Sequence, residues 1–156
     1  MSSLQQLTEI LLQRQLTIAV AESCTGGRLS SLLTSQSGSS AYFDRGFVSY
    51  SNQSKIDMLG VTEHCLNEFG AVSEQVARQM ADGVIAQAKV DISASITGIA
   101  GPSGGSKEKP VGMVCFGFCI LGKRLTSTQQ FSGDRQQVIN ASIEFALITL
   151  ANEFRR

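Results

Sequence analysis

Apolar residues recur at helical spacing over 4–14, where Leu4, Leu7, Ile10 and Leu11 share one face, and this predicts an amphipathic helix. The short apolar run 16–21 has the length and composition of a buried strand. It passes through the polar turn Glu22-Ser23-Cys24-Thr25-Gly26-Gly27 into a second helical stretch at 28–33. A small-residue loop over 35–40 leads to a strand predicted at 46–50. Ile56 and Leu59 share a face of a short helix over 52–59 that stops at Gly60. The clearest helix spans 73–88, with Ser73 as its cap, Glu74 in the first turn, and Val76, Ala77, Met80, Val84 and Ala88 as its stripe. Residues 92–97 alternate into a third strand.

The stretch 98–110 holds four glycines and two prolines, too many for a regular element. Strands are predicted at 111–121 and 124–131, joined by a tight turn at Gly122-Lys123. Asp134 caps a last helix with Gln137 at the capping-box position, and Val138, Ala141, Phe145 and Leu150 form its apolar side. Strands separated by helices predict an α/β fold, a three-layer α/β/α sandwich on a mostly parallel mixed sheet, with the late hairpin adding antiparallel strands. The chain has no internal repeat and no linker, so residues 1–156 are expected to form a single domain.

Charge narrows the partners. Basic and acidic residues number 13 each, leaving no basic field for a phosphate backbone, so nucleic acid is not expected as a partner. A near-neutral small domain favours self-association, and a homo-oligomer, in the first place a dimer, is expected. The first residues lack the basic and apolar regions of a secretory signal, and no run is long enough to cross a bilayer. A cytoplasmic protein without a membrane partner follows as the expectation. Cys24, Cys65, Cys115 and Cys119 form no CxxC pair and His64 is the only histidine, so neither a metal nor another cofactor is expected. The cysteines read as free thiols of a reducing compartment, Cys115 and Cys119 facing the same side of one strand.

Three segments carry candidate chemistry. At 21–27 a strand hands over to a helix: unpaired N–H groups at the helix start, with Gly26 and Gly27 permitting close approach, can hold a phosphate or an oxyanion. Ser23 stands just before, where its hydroxyl can attack a carbonyl; the plainer reading is a helix cap by Ser23 or Thr25. At 50–55 stands Tyr50-Ser51-Asn52-Gln53-Ser54-Lys55. With no histidine motif, a serine nucleophile needs another base, and a lysine in a dry, crowded site can lose its proton near neutral pH. The plainer reading of Lys55 is a solvated lysine on a helix face. At 97–112 glycines free the backbone to wrap a ligand; the pattern is neither a Walker loop nor a dinucleotide fingerprint, and its plainer reading is a mobile surface loop.

Read together, these segments resemble the C-terminal domain of the competence/damage-inducible protein CinA, a family with stand-alone members that act as nicotinamide-nucleotide amidases. The matching text is AESCTGG (21–27), GSS (38–40), VSYSNQSK (48–55), MLGV (58–61), GAVSEQVA (70–77), SITGIAGPSGG (95–105), EKPVG (108–112) and GDR (133–135). The resemblance implies hydrolysis of the carboxamide of nicotinamide mononucleotide to nicotinate mononucleotide and ammonia. It implies Ser23 as nucleophile, Lys55 as base and Tyr50 hydrogen-bonding near the reacting centre. Thr97 would orient the lysine or the substrate, and the amides of Thr25, Gly26 and Gly27 would serve as oxyanion hole or phosphate cradle. Asn52, Gly101, Gly104, Gly105 and Arg135 complete the implied substrate-binding set, Arg135 and the 101–105 loop meeting the phosphate and ribose. Arg45, Ser103 and Ile139 stand where the family commonly has glycine, glycine and arginine. They motivate an alternative: a weakly active or inactive paralogue that binds a nucleotide as a regulatory module.

Overall fold

The structure, a computed structural model, describes residues 1–155; Arg156, the last residue of the expected 1–156 unit, lies outside them. In chain order the elements are α1 (Ser3–Arg14), β1 (Ile18–Glu22), α2 (Arg28–Leu33), a short 3₁₀ turn (Ser39–Ala41), β2 (Phe43–Val48), α3 (Asn52–Leu59), α4 (Glu63–Phe69), α5 (Glu74–Ala88), β3 (Ile92–Gly98), β4 (Met113–Ile120), β5 (Lys123–Gln130) and α6 (Arg135–Asn152).

The strands form one sheet in the order β2-β1-β3-β4-β5. β1 pairs in parallel with both β2 and β3, whereas β3–β4 and β4–β5 are antiparallel, so the sheet is mixed and β4 alone runs against the rest. Side-chain alternation sends Ile18 and Val20 of β1 to a core shared with α1, α2 and α6, and Ala19 and Ala21 to a second core under α3, α4 and α5. The expected three layers are present.

The second face is built from small and hydroxyl-bearing residues, and this sets the height of α5. Ser93 Oγ donates to the Ala81 carbonyl at 2.8 Å, Ser95 Oγ to the Ala77 carbonyl at 2.6 Å, and Thr97 Oγ1 to the Ala71 carbonyl at 2.9 Å. The two serine hydroxyls are satisfied by the backbone of α5 itself and the Thr97 hydroxyl by the segment leading into it, so α5 lies close against the sheet. Gly117 faces Ser95 across the β3–β4 ladder, and a Cβ there would run into the Ala77 carbonyl. Gly117→Ala is therefore expected to cost about 1–3 kcal/mol by overpacking, read as a lower urea midpoint at unchanged slope.

Several boundaries differ from the sequence reading. β2 occupies Phe43–Val48 rather than 46–50, because Phe43 pairs with Ile18 and an irregularity precedes Gly46 opposite Val20; Tyr50 thereby falls in the loop beyond the strand. α4 was not anticipated: it is short, Thr62 caps it, and it buries only Cys65 and Leu66, too few positions to show a period. The hairpin turns at Leu121-Gly122, one residue earlier than expected, both with positive φ (50° and 85°), as a two-residue turn requires. Ser73 and Asp134 cap α5 and α6 as read, the latter in a full capping box with Gln137. The four cysteines are buried and free, Cys115 and Cys119 sharing a strand. Among the described residues no helix is long and apolar enough to cross a membrane.

Candidate active site

The topology designates a place for a site before any side chain is considered. From β1 the chain turns through α2 to β2 on one side, then through the opposite helical layer to β3 on the other. The parallel strands β2, β1 and β3 thus end at a switch point, where the following loops diverge and leave a crevice. Each of the three segments singled out in the sequence begins at one of these strand ends: 23–27 after β1, 49–55 after β2, and 99–112 after β3.

Ser23 continues the ladder one residue past β1, its N–H donating to Ile96 O at 2.9 Å. On its other side Ser49 N–H donates to Glu22 O at 2.9 Å, which fixes the residues just beyond β2. Ser51 caps α3 by accepting from Ser54 N–H at 3.0 Å, and this start directs Lys55 inward. Lys55 is 1% exposed. Its Nζ lies 3.0 Å from each of Ser23 Oγ, Ser49 O and Tyr50 O. Ser23 Oγ is also 3.3 Å from Tyr50 O. Burial lowers the pKa of Lys55, partly offset by the nearby Cys24. A neutral amine held here keeps two N–H groups on the carbonyls of Ser49 and Tyr50 and turns its lone pair to Ser23 Oγ. Ser49 Oγ, also buried, has no hydrogen-bond partner among the described residues.

Ser23 and Lys55 open onto a cleft of about 310 Å³, also lined by Cys24, Tyr50, Asn52, Ala71, Val72, Thr97, Gly101, Ser103, Gly104 and Arg135. Tyr50 is 58% exposed at the rim. Arg135, in the first turn of α6, spans the mouth: Nη1 donates to Gly101 O at 2.8 Å and Nη2 to Tyr50 Oη at 3.3 Å. Thr97 lines the cleft, but its hydroxyl is engaged with Ala71 O, so it steadies the 70–73 segment rather than Lys55. Burial pushes the Cys24 thiol up to about 11, which keeps it neutral beside Ser23 at neutral pH.

Thr25, Gly26, Gly27 and Gly105 do not line the cleft. Gly105 packs on Val111 instead. The reason for the others is Glu22, a residue the sequence reading left as part of the polar turn. Its carboxylate is 0% exposed and accepts from Thr25 Oγ1 at 2.7 Å, Leu29 N–H at 2.8 Å, Ser30 N–H at 2.9 Å and Ser30 Oγ at 2.7 Å. Glu22 therefore fills the N-terminus of α2, whose own N-cap, Gly27, makes no side-chain bond. The start of α2 is thus occupied by a carboxylate rather than open to an anion. Neither Ser23 nor Thr25 is the helix cap, and Lys55 is not solvated. The available signal was an acidic residue closing an apolar strand just ahead of a helix.

Of the three positions that depart from the family pattern, only Ser103 lines the cleft. Ile139 is 1% exposed in the core beneath α6, and Arg45 stands on the edge strand β2, paired with Asp44. No cluster of three or more potential metal-binding side chains occurs among the described residues.

Comparison with known proteins bears on this geometry. The family model of the CinA C-terminal domain matches residues 2–154. The nicotinamide-nucleotide amidohydrolase PncC of Enterobacter agglomerans is 54% identical over 138 residues, covering 88% of this chain and 84% of that protein. The protein of the same name from Escherichia coli K12 is 48% identical over 151 residues, covering 96% and 92%. A crystal structure of a CinA-superfamily protein from Escherichia coli superposes with a TM-score of 0.94 at 38% identity, over 97% of this chain and 88% of that one.

Proposed function

The chain belongs to the CinA C-terminal domain family, and from that premise we propose that it hydrolyses the carboxamide of nicotinamide mononucleotide to nicotinate mononucleotide and ammonia by serine/lysine catalysis. The observation that carries the reading is the 3.0 Å approach of Lys55 Nζ to Ser23 Oγ at a buried corner of the cleft. The names of the two PncC relatives supply the substrate class.

In this mechanism Ser23 Oγ attacks the carboxamide carbon while its proton passes to neutral Lys55 Nζ. The N–H of Cys24, which lines the cleft, donates to no backbone carbonyl among the described residues and is the donor available to the developing oxyanion. Lys55 returns the proton to the departing nitrogen, ammonia leaves, and Ser23 is left as an ester. Water then attacks that ester, giving its proton to Lys55, and Ser23 is released with its hydroxyl restored. Tyr50 and Asn52 border the reacting end, while Arg135 with the Gly101 and Gly104 backbone faces the ribose and phosphate. The chemistry needs no metal or cofactor. The reading includes a homo-oligomer, a dimer in the first place, on the ground of zero net charge, and a cytoplasmic location on the ground of the free cysteines.

Of the three positions that motivate the alternative, a weakly active or inactive nucleotide-binding paralogue, Ser103 alone lines the cleft, since Ile139 packs in the core and Arg45 pairs with Asp44 on the edge strand. Incubating the protein with nicotinamide mononucleotide and measuring ammonia together with nicotinate mononucleotide tests the proposal. A folded protein that releases neither would sink it.

The pH dependence follows from Lys55. Because burial lowers its pKa, the neutral, proton-accepting form is reached at lower pH than for an ordinary lysine. We expect kcat/KM to climb with pH along one ionisation whose midpoint lies below the ordinary lysine range, then level off. A Lys55→Arg variant, which stays charged throughout, is expected to be inactive across the same profile.

A further inference from the structure

Lys109 closes an exposed stretch, 102–108, and its ammonium donates to the carbonyl of Phe69, the last residue of α4. That carbonyl lies at the negative end of the helix, where a cation is favoured. Gly70 follows with φ +78°, a conformation that favours glycine, and a Cβ added there would stand 2.7 Å from Lys109 Nζ, displacing the end of the lysine.

The remaining ties of the glycine-rich loop show what this contact does. Its base is closed by Ile99 N–H to Met113 O at 2.9 Å and Gly112 N–H to Ile99 O at 2.7 Å. Its tip is folded on itself by Ser106 N–H to Lys109 O at 2.8 Å and Lys109 N–H to Ser106 Oγ at 3.1 Å. One flank hangs from Arg135 through Gly101 O. The other flank is tied to β5 by Gln130 Nε2, which donates to Val111 O at 2.8 Å, and among the described residues its hydrogen bond to the helical layer runs through Lys109 alone. Ser103 and Gly104, which line the cleft, lie between the Gly101 and Lys109 anchors.

We propose that Lys109 is a positioning residue for substrate binding: it latches the tip of the loop to the end of α4 and so holds Ser103 and Gly104 in the cleft wall. As regards the substrate, this rests on the amidase reading. Ser23 and Lys55 stand after β1 and in α3, outside the loop, so releasing the latch weakens binding and spares the chemical step.

The test compares wild type, Lys109→Met and Lys109→Arg as full chains. Steady-state kinetics use nicotinamide mononucleotide, and amide hydrogen exchange of the ligand-free proteins is followed over 102–108. Lys109→Met is expected to raise KM about twofold to fivefold, the range for losing one cation at a helix end. Its kcat stays near wild type, exchange across 102–108 becomes faster, and Lys109→Arg restores both KM and exchange. A higher KM with unchanged exchange makes Lys109 a direct substrate contact and overturns the proposal. So does a fall in kcat at constant KM, or an Arg variant that behaves like Met. If the wild type releases no ammonia, the amidase reading fails by itself, and the exchange comparison alone decides the latch.

Discussion

Lys55→Met is expected to lower kcat/KM for nicotinamide mononucleotide by about 10³–10⁴ while the protein remains folded. Methionine matches the length of the lysine stem and fills the same buried space, so the core keeps its volume. What disappears is the one amine that, among the described residues, reaches Ser23 Oγ; the carbonyls of Ser49 and Tyr50 lose their donor at the same time. Ser23→Ala is expected to be at least as severe, since it removes the attacking oxygen. The decisive measurement is the double variant. Two groups that act as one unit give losses that do not add, so Ser23→Ala/Lys55→Met should be no slower than Ser23→Ala alone. A double variant slower by the product of the single losses would separate the two residues mechanistically.

Glu22→Gln is expected to destabilise the fold by about 2–4 kcal/mol, although the change replaces one oxygen by a nitrogen of nearly equal size. Each carboxylate oxygen faces one backbone N–H and one hydroxyl: Oε1 meets Leu29 and Thr25, Oε2 meets both groups of Ser30. Hydroxyls can rotate to accept from an amide NH₂, but a backbone N–H cannot, so either orientation of the glutamine leaves one buried donor facing another donor. The favourable placement of negative charge at the start of α2 is lost as well. The expected reading is a lower urea midpoint with the slope unchanged. A midpoint equal to wild type would show that the carboxylate is dispensable for the turn that carries Ser23.

Much of this was legible in the amino-acid order because it depends on near neighbours. The stripes of α1 and α5, the caps at Ser73 and Asp134, and the alternation of β3 are local patterns, and local geometry expresses them directly. The candidate segments were visible too, because glycine and small polar residues at a strand end report a backbone that must turn sharply. α4 escaped, since seven residues with two buried side chains carry no period.

What proximity along the chain cannot express was left to the packing. Whether Lys55 is a solvated surface residue or a buried amine depends on β2 and β1 aligning Ser49 and Ser23 around it, a relation spanning 32 positions. Glu22 reads as one more polar residue until α2 folds back onto it and turns its carboxylate into a cap rather than leaving the helix end open to an anion. Ile139 and Arg45 looked like losses at a binding site, yet the sheet and α6 send one into the core and the other to an edge. In each case the residue type set which interactions were possible, and burial with long-range pairing selected among them, because the cost of desolvating a charge is decided only when the surrounding elements close over it.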